Sequence, residues 1–473
     1  MTNTRISNTI ILSCLLLGGI SLKGKAQEAA PATFSLQECL QYAVQNSYEL
    51  HKAKFQTQEA EAGYREAQSS LLPQLNGAVS ATDNLKLATS MFPGDMFGMP
   101  GEYIGVEMGV KYGAVAGLDL EQVVFDAGLF TGIKMSKNAG ELALLKSRMT
   151  EEELIYSIGN AFYDITYSQN LLKNNVETLV IMDSIYTMMA LQVAHDVTRE
   201  IDLNRMKVNI SNMRVDIQKT RATFSQQMNY LKVLMGMPLE YHFRVDDDNA
   251  GDAGDGGGDV GARHALPLPV PPLPFPTDNS NGSIPNRTEL LILNKEKSVN
   301  ELEIRQLRLG YLPTLSLTGS LGYSFENEKL TLGNSQFWSN PIALGLKLSV
   351  PIFDGGTRRH QIRQSQFRLR QVEEDIKQQQ QTSQSDLQNA GLQMQVSYQS
   401  ANAQRENMQV AEKSYRQGVM LYEEGLYSIT DLLDTEKSYR EAQSAYAYEL
   451  SNYHKSIIEL KKSEGTLNTL LNK

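Results

Sequence analysis

The chain states one architectural plan twice. Residues 46–75 align without a gap on 286–315, a spacing of 240: Asn46 with Asn286, Glu49 with Glu289, Leu50 with Leu290, and Leu72-Pro73-Gln74-Leu75 with Leu312-Pro313-Thr314-Leu315. Val124-Phe125-Asp126-Ala127-Gly128 meets Ile352-Phe353-Asp354-Gly355-Gly356 at a spacing of 228, and Asp202, Leu203 and Gly236 meet Asp431, Leu432 and Gly465 at 229. A duplicated unit of about 200 residues with its parts in the same order predicts a pseudo-symmetric scaffold. Function is then expected in the assembled shape.

The first residues bound the compartment. Met1 to Gln27 has a polar start with Arg5, an apolar run from Ile10 to Ile20 and a Gly24-Lys25-Ala26 end. It reads as a secretory signal peptide over 1–26, cleaved after Ala26. Cys14 in Ile11-Leu12-Ser13-Cys14 weakly matches a lipidation site, but the apolar run continues past it. Cys39 is then the one cysteine after the leader, which rules out an intramolecular disulfide and fits a small buried helix residue. The net charge of −10 lacks the basic excess of a nucleic-acid binder. No later stretch approaches 18 consecutive apolar residues, so a helical membrane span is not expected.

Each half holds one segment of period two. Leu315, Leu317, Gly319, Leu321, Tyr323 and Phe325 alternate with Ser316, Thr318, Ser320, Gly322 and Ser324. The return run sets Ile342, Leu344, Leu346, Leu348, Val350 and Ile352 against Ala343, Gly345, Lys347, Ser349 and Pro351. In the first half Leu75, Gly77, Val79 and Ala81 alternate with Asn76, Ala78, Ser80 and Thr82, and one long return strand is expected from Ile104 to Glu121. A strand of about 9–11 residues crosses an outer membrane with apolar side chains toward lipid and polar ones toward a wet lumen. A half-buried sheet of a soluble domain also alternates; the leader and the Leu-rich faces point to the membrane. Tyr323, Phe325, Phe337 and Trp338 fall where an interfacial aromatic girdle would sit. Four strands are too few, because membrane barrels need at least about eight and an open edge in lipid strands backbone polar groups. Chains must share one barrel.

No proline occurs between Pro100 and Pro238 or after Pro351. Polar, helix-periodic stretches of about 67 residues are predicted over 129–195 and 357–423, each about 100 Å long. Behind them run heptads: Leu203, Ile210, Ile217, Phe224 and Leu231, then Leu432, Tyr439, Tyr446, Tyr453, Leu460 and Leu467. Sustained sevens indicate coiled-coil-like packing, with the preceding long helix as the antiparallel partner. The turnarounds fall at 195–202 and 424–431. Thr198 and Ser428 are placed to cap the following helices, with Asp202 and Asp431 near their N-termini. Matching tips about 100 Å from the hairpins would form the far mouth of a tube. Phe125, Asp126 and Gly128, like Phe353, Asp354 and Gly356, mark strand-to-helix turns rather than phosphate loops.

The expected organisation is thus a leader over 1–26, a first repeat over 27–245, a linker over 246–283 and a second repeat over 284–473. The linker joins an Asp/Gly-rich run to the proline-rich 267–276 and reads as an extended strap. It lacks the bidentate Glu of a calcium loop. Met91, Met96, Met99 and Met108 offer thioethers suited to Cu(I), but plain packing explains them as well. No catalytic residue, cofactor or metal site is expected: the six histidines are scattered, and HExxH and GxSxG are absent.

Leu36-Gln37-Glu38-Cys39-Leu40-x-x-Ala43, the paired Leu-Pro-x-Leu and Phe-Asp-x-Gly segments, and Tyr422-x-x-Gly425-Leu-x-Ser428-x-x-Asp431-Leu-Leu-Asp434 together resemble the TolC-type outer-membrane efflux protein family. The resemblance covers about 34–240 and 284–472. It implies a mixed fold: a transmembrane β-barrel of 12 strands shared by a homotrimer, and long antiparallel coiled-coil-like helices forming an α-helical periplasmic tunnel. It implies an outer-membrane channel in contact with lipid, joined through a periplasmic membrane-fusion adaptor to an inner-membrane transporter, in a tripartite efflux or type I secretion system. Carried over by position, Gly425, Leu426, Ser428 and Asp431 are the expected entrance and adaptor contacts, with Tyr427 toward the constriction. Asp202 and Leu203 are their first-repeat counterparts. The first tip has His195-Asp196 where the family favours glycine. The rival reading is a secreted or periplasmic coiled-coil structural protein or adhesin, which leaves the hairpins unexplained.

Overall fold

Ser35 opens the first helix with a reciprocal cap: its hydroxyl accepts from Glu38 N, and the Glu38 carboxylate accepts from Ser35 N at 2.8 Å. In the computed structural model, which describes residues 32–99, 101–246, 287–331 and 335–471, a short strand β1 (Ala32–Phe34) leads into α1 (Leu36–Asn46) and α2 (Tyr48–Ser69). Cys39 is buried in α1, as expected of a lone small thiol on a helix. Pro73 follows α2, where the residue before proline disfavours helix, and the chain enters β2 (Gln74–Asp83). The leader and all of the linker beyond Asp246 lie outside the described residues.

The expected strand from Ile104 to Glu121 is in fact two. β3 (Ala88–Pro93) pairs with β4 (Tyr103–Met108) as a separate hairpin, and β5 (Tyr112–Phe125) returns along β2. The break is at Gly109, whose φ of 113° only glycine adopts readily. Met108, Val110 and Tyr112 keep the alternation running across it, so period alone missed the break.

After β5 come α3 (Ala127–Ala194), α4 (Glu200–Met235) and β6 (Phe243–Val245), which pairs in parallel with β1. The second repeat runs α5 (Thr288–Leu309), β7 (Thr314–Asn327), the two-residue β8 (Trp338–Ser339), β9 (Ile342–Ser349), α6 (Thr357–Glu423) and α7 (Ile429–Ser463). α5 begins and ends 240 positions after α2, and both long helices fall within two residues of expectation.

The main sheet is antiparallel, in the order β2-β5-β7-β9, with β8 on β7 beyond β9. Gln74 pairs with Glu121 as Thr314 pairs with Ser349, so the two hairpins share one register. Paired residues share a face. The register therefore gathers Leu75, Val79, Leu118, Leu321, Leu344 and Leu348 on one face, all exposed. The other face carries Asn76, Ser80, Asp119, Ser320 and Lys347. Phe325 departs from the girdle expectation: it is fully buried, with Trp338 packed 5.5 Å away.

The heptads pack as predicted, α4 back along α3 and α7 along α6. Ile210, Ile217 and Leu231 are buried, as are Leu432 and Tyr453. Leu467 is buried too, but lies past Gly465 (φ 71°) in a final 3-10 turn rather than in α7. At mid-height α1, β6 and the C-terminal turn cover α3, burying Cys39, Ile155, Phe162, Leu231, Phe243 and Leu467 together. A second cluster lies at the far ends of the long helices.

Candidate functional site

The sequence-predicted residues fall at the two opposite ends of α3 and α6. At the sheet end, Asp126 caps α3, its carboxylate accepting from Leu129 N at 3.0 Å. Asp354 accepts from Gly356 N at 2.9 Å and Arg358 N at 3.2 Å. Gly356 has a φ of 84° and begins the helix as expected, whereas Gly128 lies inside the first turn of α3 and forms no turn. Phe125 stacks edge-on to Phe130 at 6.4 Å, and Phe353 is exposed.

At the far end the two turnarounds come together. Asp196 adopts a φ of 59°, and Gly425, at the equivalent position 229 later, one of 74°. Aspartate tolerates this left-handed backbone better than most residues, so Asp196 performs the turn that glycine performs in the second tip. Ser428 caps α7 through Asp431 N at 3.2 Å, and donates back to Asp431 Oδ2 at 2.6 Å. Thr198 does not cap α4; its hydroxyl donates to Gln192 Oε1 at 2.9 Å, and Arg199 takes the cap position without a side-chain bond.

Asp202 is buried, with Arg199 Nε at 3.4 Å and Arg205 Nη1 at 3.7 Å. Arg205 Nη1 donates to Thr430 Oγ1 at 3.2 Å, tying the start of α4 to the start of α7. Burial, and then the Asp202 charge, pushes the Tyr422 hydroxyl above its ordinary pKa. Leu203, Tyr422 and Tyr427 pack on buried Met206, Tyr415, Ile429 and Leu432. Leu426 projects into solvent. Sequence reasoning missed Arg205 and Thr430; the spacing of Asp202 and Arg205 by three on a helix was the available signal.

One turn deeper, α4 and α7 frame a half-open cavity of about 470 Å³ lined by Met182, Asn209, Asp216, Lys219, Glu436 and Arg440. Burial raises the Glu436 carboxyl pKa against the opposing pull of Arg440. The two groups lie within ion-pair distance at 3.4 Å, yet Glu436 Oε1 and Arg440 Nε find no aligned hydrogen-bond partner. Tyr415 and Tyr439 stack beside them at 5.6 Å, and burial pushes both hydroxyls up to about 12.

A sheet with one exposed apolar face, joined by unbroken helices to mutually tied hairpin tips, is the plan of an outer-membrane channel subunit. The chain belongs to the outer membrane efflux protein family, whose model matches residues 39–237 and 285–466. It is 23% identical over 492 residues to Outer membrane protein TolC of Escherichia coli (strain K12), covering 96% of this chain and 86% of that protein. It is 24% identical over 443 residues to the Toluene efflux pump outer membrane protein TtgC of Pseudomonas putida, covering 91% and 83%. The crystal structure of the Campylobacter jejuni CmeC outer membrane channel superposes with a TM-score of 0.70 at 16% identity, covering 97% of this chain and 94% of that one. The protein is an outer-membrane efflux channel component, not an enzyme.

Proposed function

We propose that three copies assemble a 12-stranded barrel continued by a helical tunnel, and that this duct conducts cargo passively outward from an inner-membrane pump. The observation that carries the reading is the sheet of β2, β5, β7 and β9 with the short β8 beyond β9: its apolar face is exposed, and β2 and β9 are edges among the described residues. Such edges are incompatible with lipid unless another chain pairs with them.

In this reading the tips are the periplasmic entrance, and Gly425, Leu426, Ser428 and Asp431 meet a periplasmic adaptor. The Asp202, Arg205 and Thr430 tie holds the two hairpins of each chain together at rest. Opening requires a partner that binds the separated tips better than the joined ones. Small and polar lumen-facing side chains, such as Ser320, Gly345 and Asn76, offer little discrimination, leaving selection to the pump of an efflux or type I secretion assembly. The test is the detergent-corrected mass of the complex extracted from outer membranes, followed by conductance in planar bilayers. Three chains per particle and discrete channel openings support the reading; a one-chain particle sinks it.

A further inference from the structure

Neighbouring elements run in one order through the chain. The strands pair as β2-β5-β7-β9, and the helices joined to them pack in the same sequence, α2 on α3, α3 on α5, and α5 on α6. The seam between the repeats is therefore β5 against β7 and α3 against α5. What remains open is β9 and α6 on one side, β2 and α2 on the other.

Two registers fix how the repeats correspond. The shared hairpin pairing equates β7 with β2 at 240 and β9 with β5 at 228. For the long helices, buried Leu154, Ala161, Phe162, Ile165 and Ser168 of α3 fall on buried Ser383, Ala390, Gly391, Met394 and Ser397 of α6, always 229 apart. Both helices are continuous, so this spacing holds along their length. The one-residue difference from 228 falls in the turn of Gly355 and Gly356, both at positive φ.

Resting on the shared-barrel reading, we infer that the seam between copies repeats the seam inside the chain, setting Leu348 opposite Val79 of the next copy and Phe367 beside its Phe55. The strand half follows from Leu120 pairing with Gly319: 228 beyond Leu120 is Leu348, and 240 before Gly319 is Val79. Both lie on the apolar face, 65% and 84% exposed. The helix half follows from Lys295 of α5, which donates to Asn138 Oδ1 of α3 at 3.1 Å and pairs with Glu141. Their equivalents are Phe55, Phe367 and Arg370. Phe55 is 67% exposed and Phe367 50%, with Arg370 over the Phe367 ring at 5.9 Å. The seam that the chain itself holds uses a flexible ion pair; the seam between copies presents two rings and a cation, whose burial favours association without a covalent tether.

The test compares cysteine pairs in outer membranes: Val79→Cys with Leu348→Cys, against the two-residue slip Val79→Cys with Leu346→Cys. Directly opposed Cβ atoms lie about 4.5–5.5 Å apart, a small strand adjustment from the about 3.5–4.5 Å a disulfide spans, whereas diagonal ones at about 7–8 Å are well beyond it. Native Cys39 is buried and does not compete. Oxidation is expected to yield linked dimers and trimers from the first pair and little from the second. Preferential linking of the slip pair in an intact trimer overturns the register. A one-chain particle overturns the shared-barrel reading instead. Phe55→Cys with Phe367→Cys, bridged by a short thiol reagent, tests the seam away from the strands: linked trimers support it, and unlinked chains in a particle of trimer mass refute it.

Discussion

Replacing Asp202 by alanine should loosen the resting tip. The carboxylate faces Arg199 at 3.4 Å and Arg205 at 3.7 Å, near the N-terminus of α4. Both arginine heads are more than half exposed, so each pair contributes about 0.2–1 kcal/mol. Charge at a helix N-terminus adds about 0.3–1 kcal/mol. Together the loss is about 1.5 kcal/mol, and Arg205, no longer held, also weakens its bond to Thr430. Both ion pairs lie at the start of α4 and persist in either state, so only the weakened Arg205–Thr430 bond, about 1 kcal/mol, separates joined from open tips, and the open fraction rises about fivefold. The assay is single-channel recording in planar bilayers, with trimer content of each variant checked beforehand. Asp202→Asn, which keeps the shape and loses the charge, should give a smaller rise in the same direction. An Asp202→Ala channel as quiet as the native one, at equal insertion, would refute the assignment of this contact to the closed state.

Glycine substitutions should separate two kinds of turn. Gly236 sits at a φ of 70° with an added Cβ only 2.2 Å from Asn46 O, so Gly236→Ala should abolish accumulation of folded protein on immunoblots of outer membranes. Gly425, at 74° in open space, should tolerate alanine with a loss of about 1–2 kcal/mol. Glu436 has a raised folded pKa, so its protonated form stabilises the fold below the ordinary carboxylate range, and that contribution is lost as pH rises through the folded value. Glu436→Gln should therefore raise the melting temperature at about pH 7–8, with the gain shrinking toward about pH 4; an equal gain at both ends contradicts buried ionisation. Ser428→Ala removes the α7 cap, which contributes about 1 kcal/mol. Faster amide exchange at 429–432 with unchanged mid-height protection is the expected pattern.

The duplicated plan was readable because proline, glycine and heptads punctuate both halves alike. α2 and α5, the long helices and the tip positions follow directly from that spacing. The break at Gly109 was not readable, since alternation continues through it and glycine also occurs within strands, as Gly117 does. Thr198 looked like a cap because hydroxyl residues cap by type, but Gln192 offered it a competing partner. The tie between tips was hidden because Arg205 and Thr430 lie 225 positions apart. No local pattern announces such a pair.

The unbroken run of α3 has a mechanical consequence. Its side chains are clamped at mid-height around Ile155, Phe162 and Ile165, and beyond Ile165 the helix continues to Ala194. That span is about 45 Å long. The far span is packed through Met182, Ile185 and Met189 into the second cluster, so α3 and the helix ends it touches would swing as one lever: about 5° at the clamp carries the tip sideways by about 4 Å over that length, more than a hydrogen bond's reach. In the proposed channel, the aperture would change by a tilt that leaves the mid-height core intact.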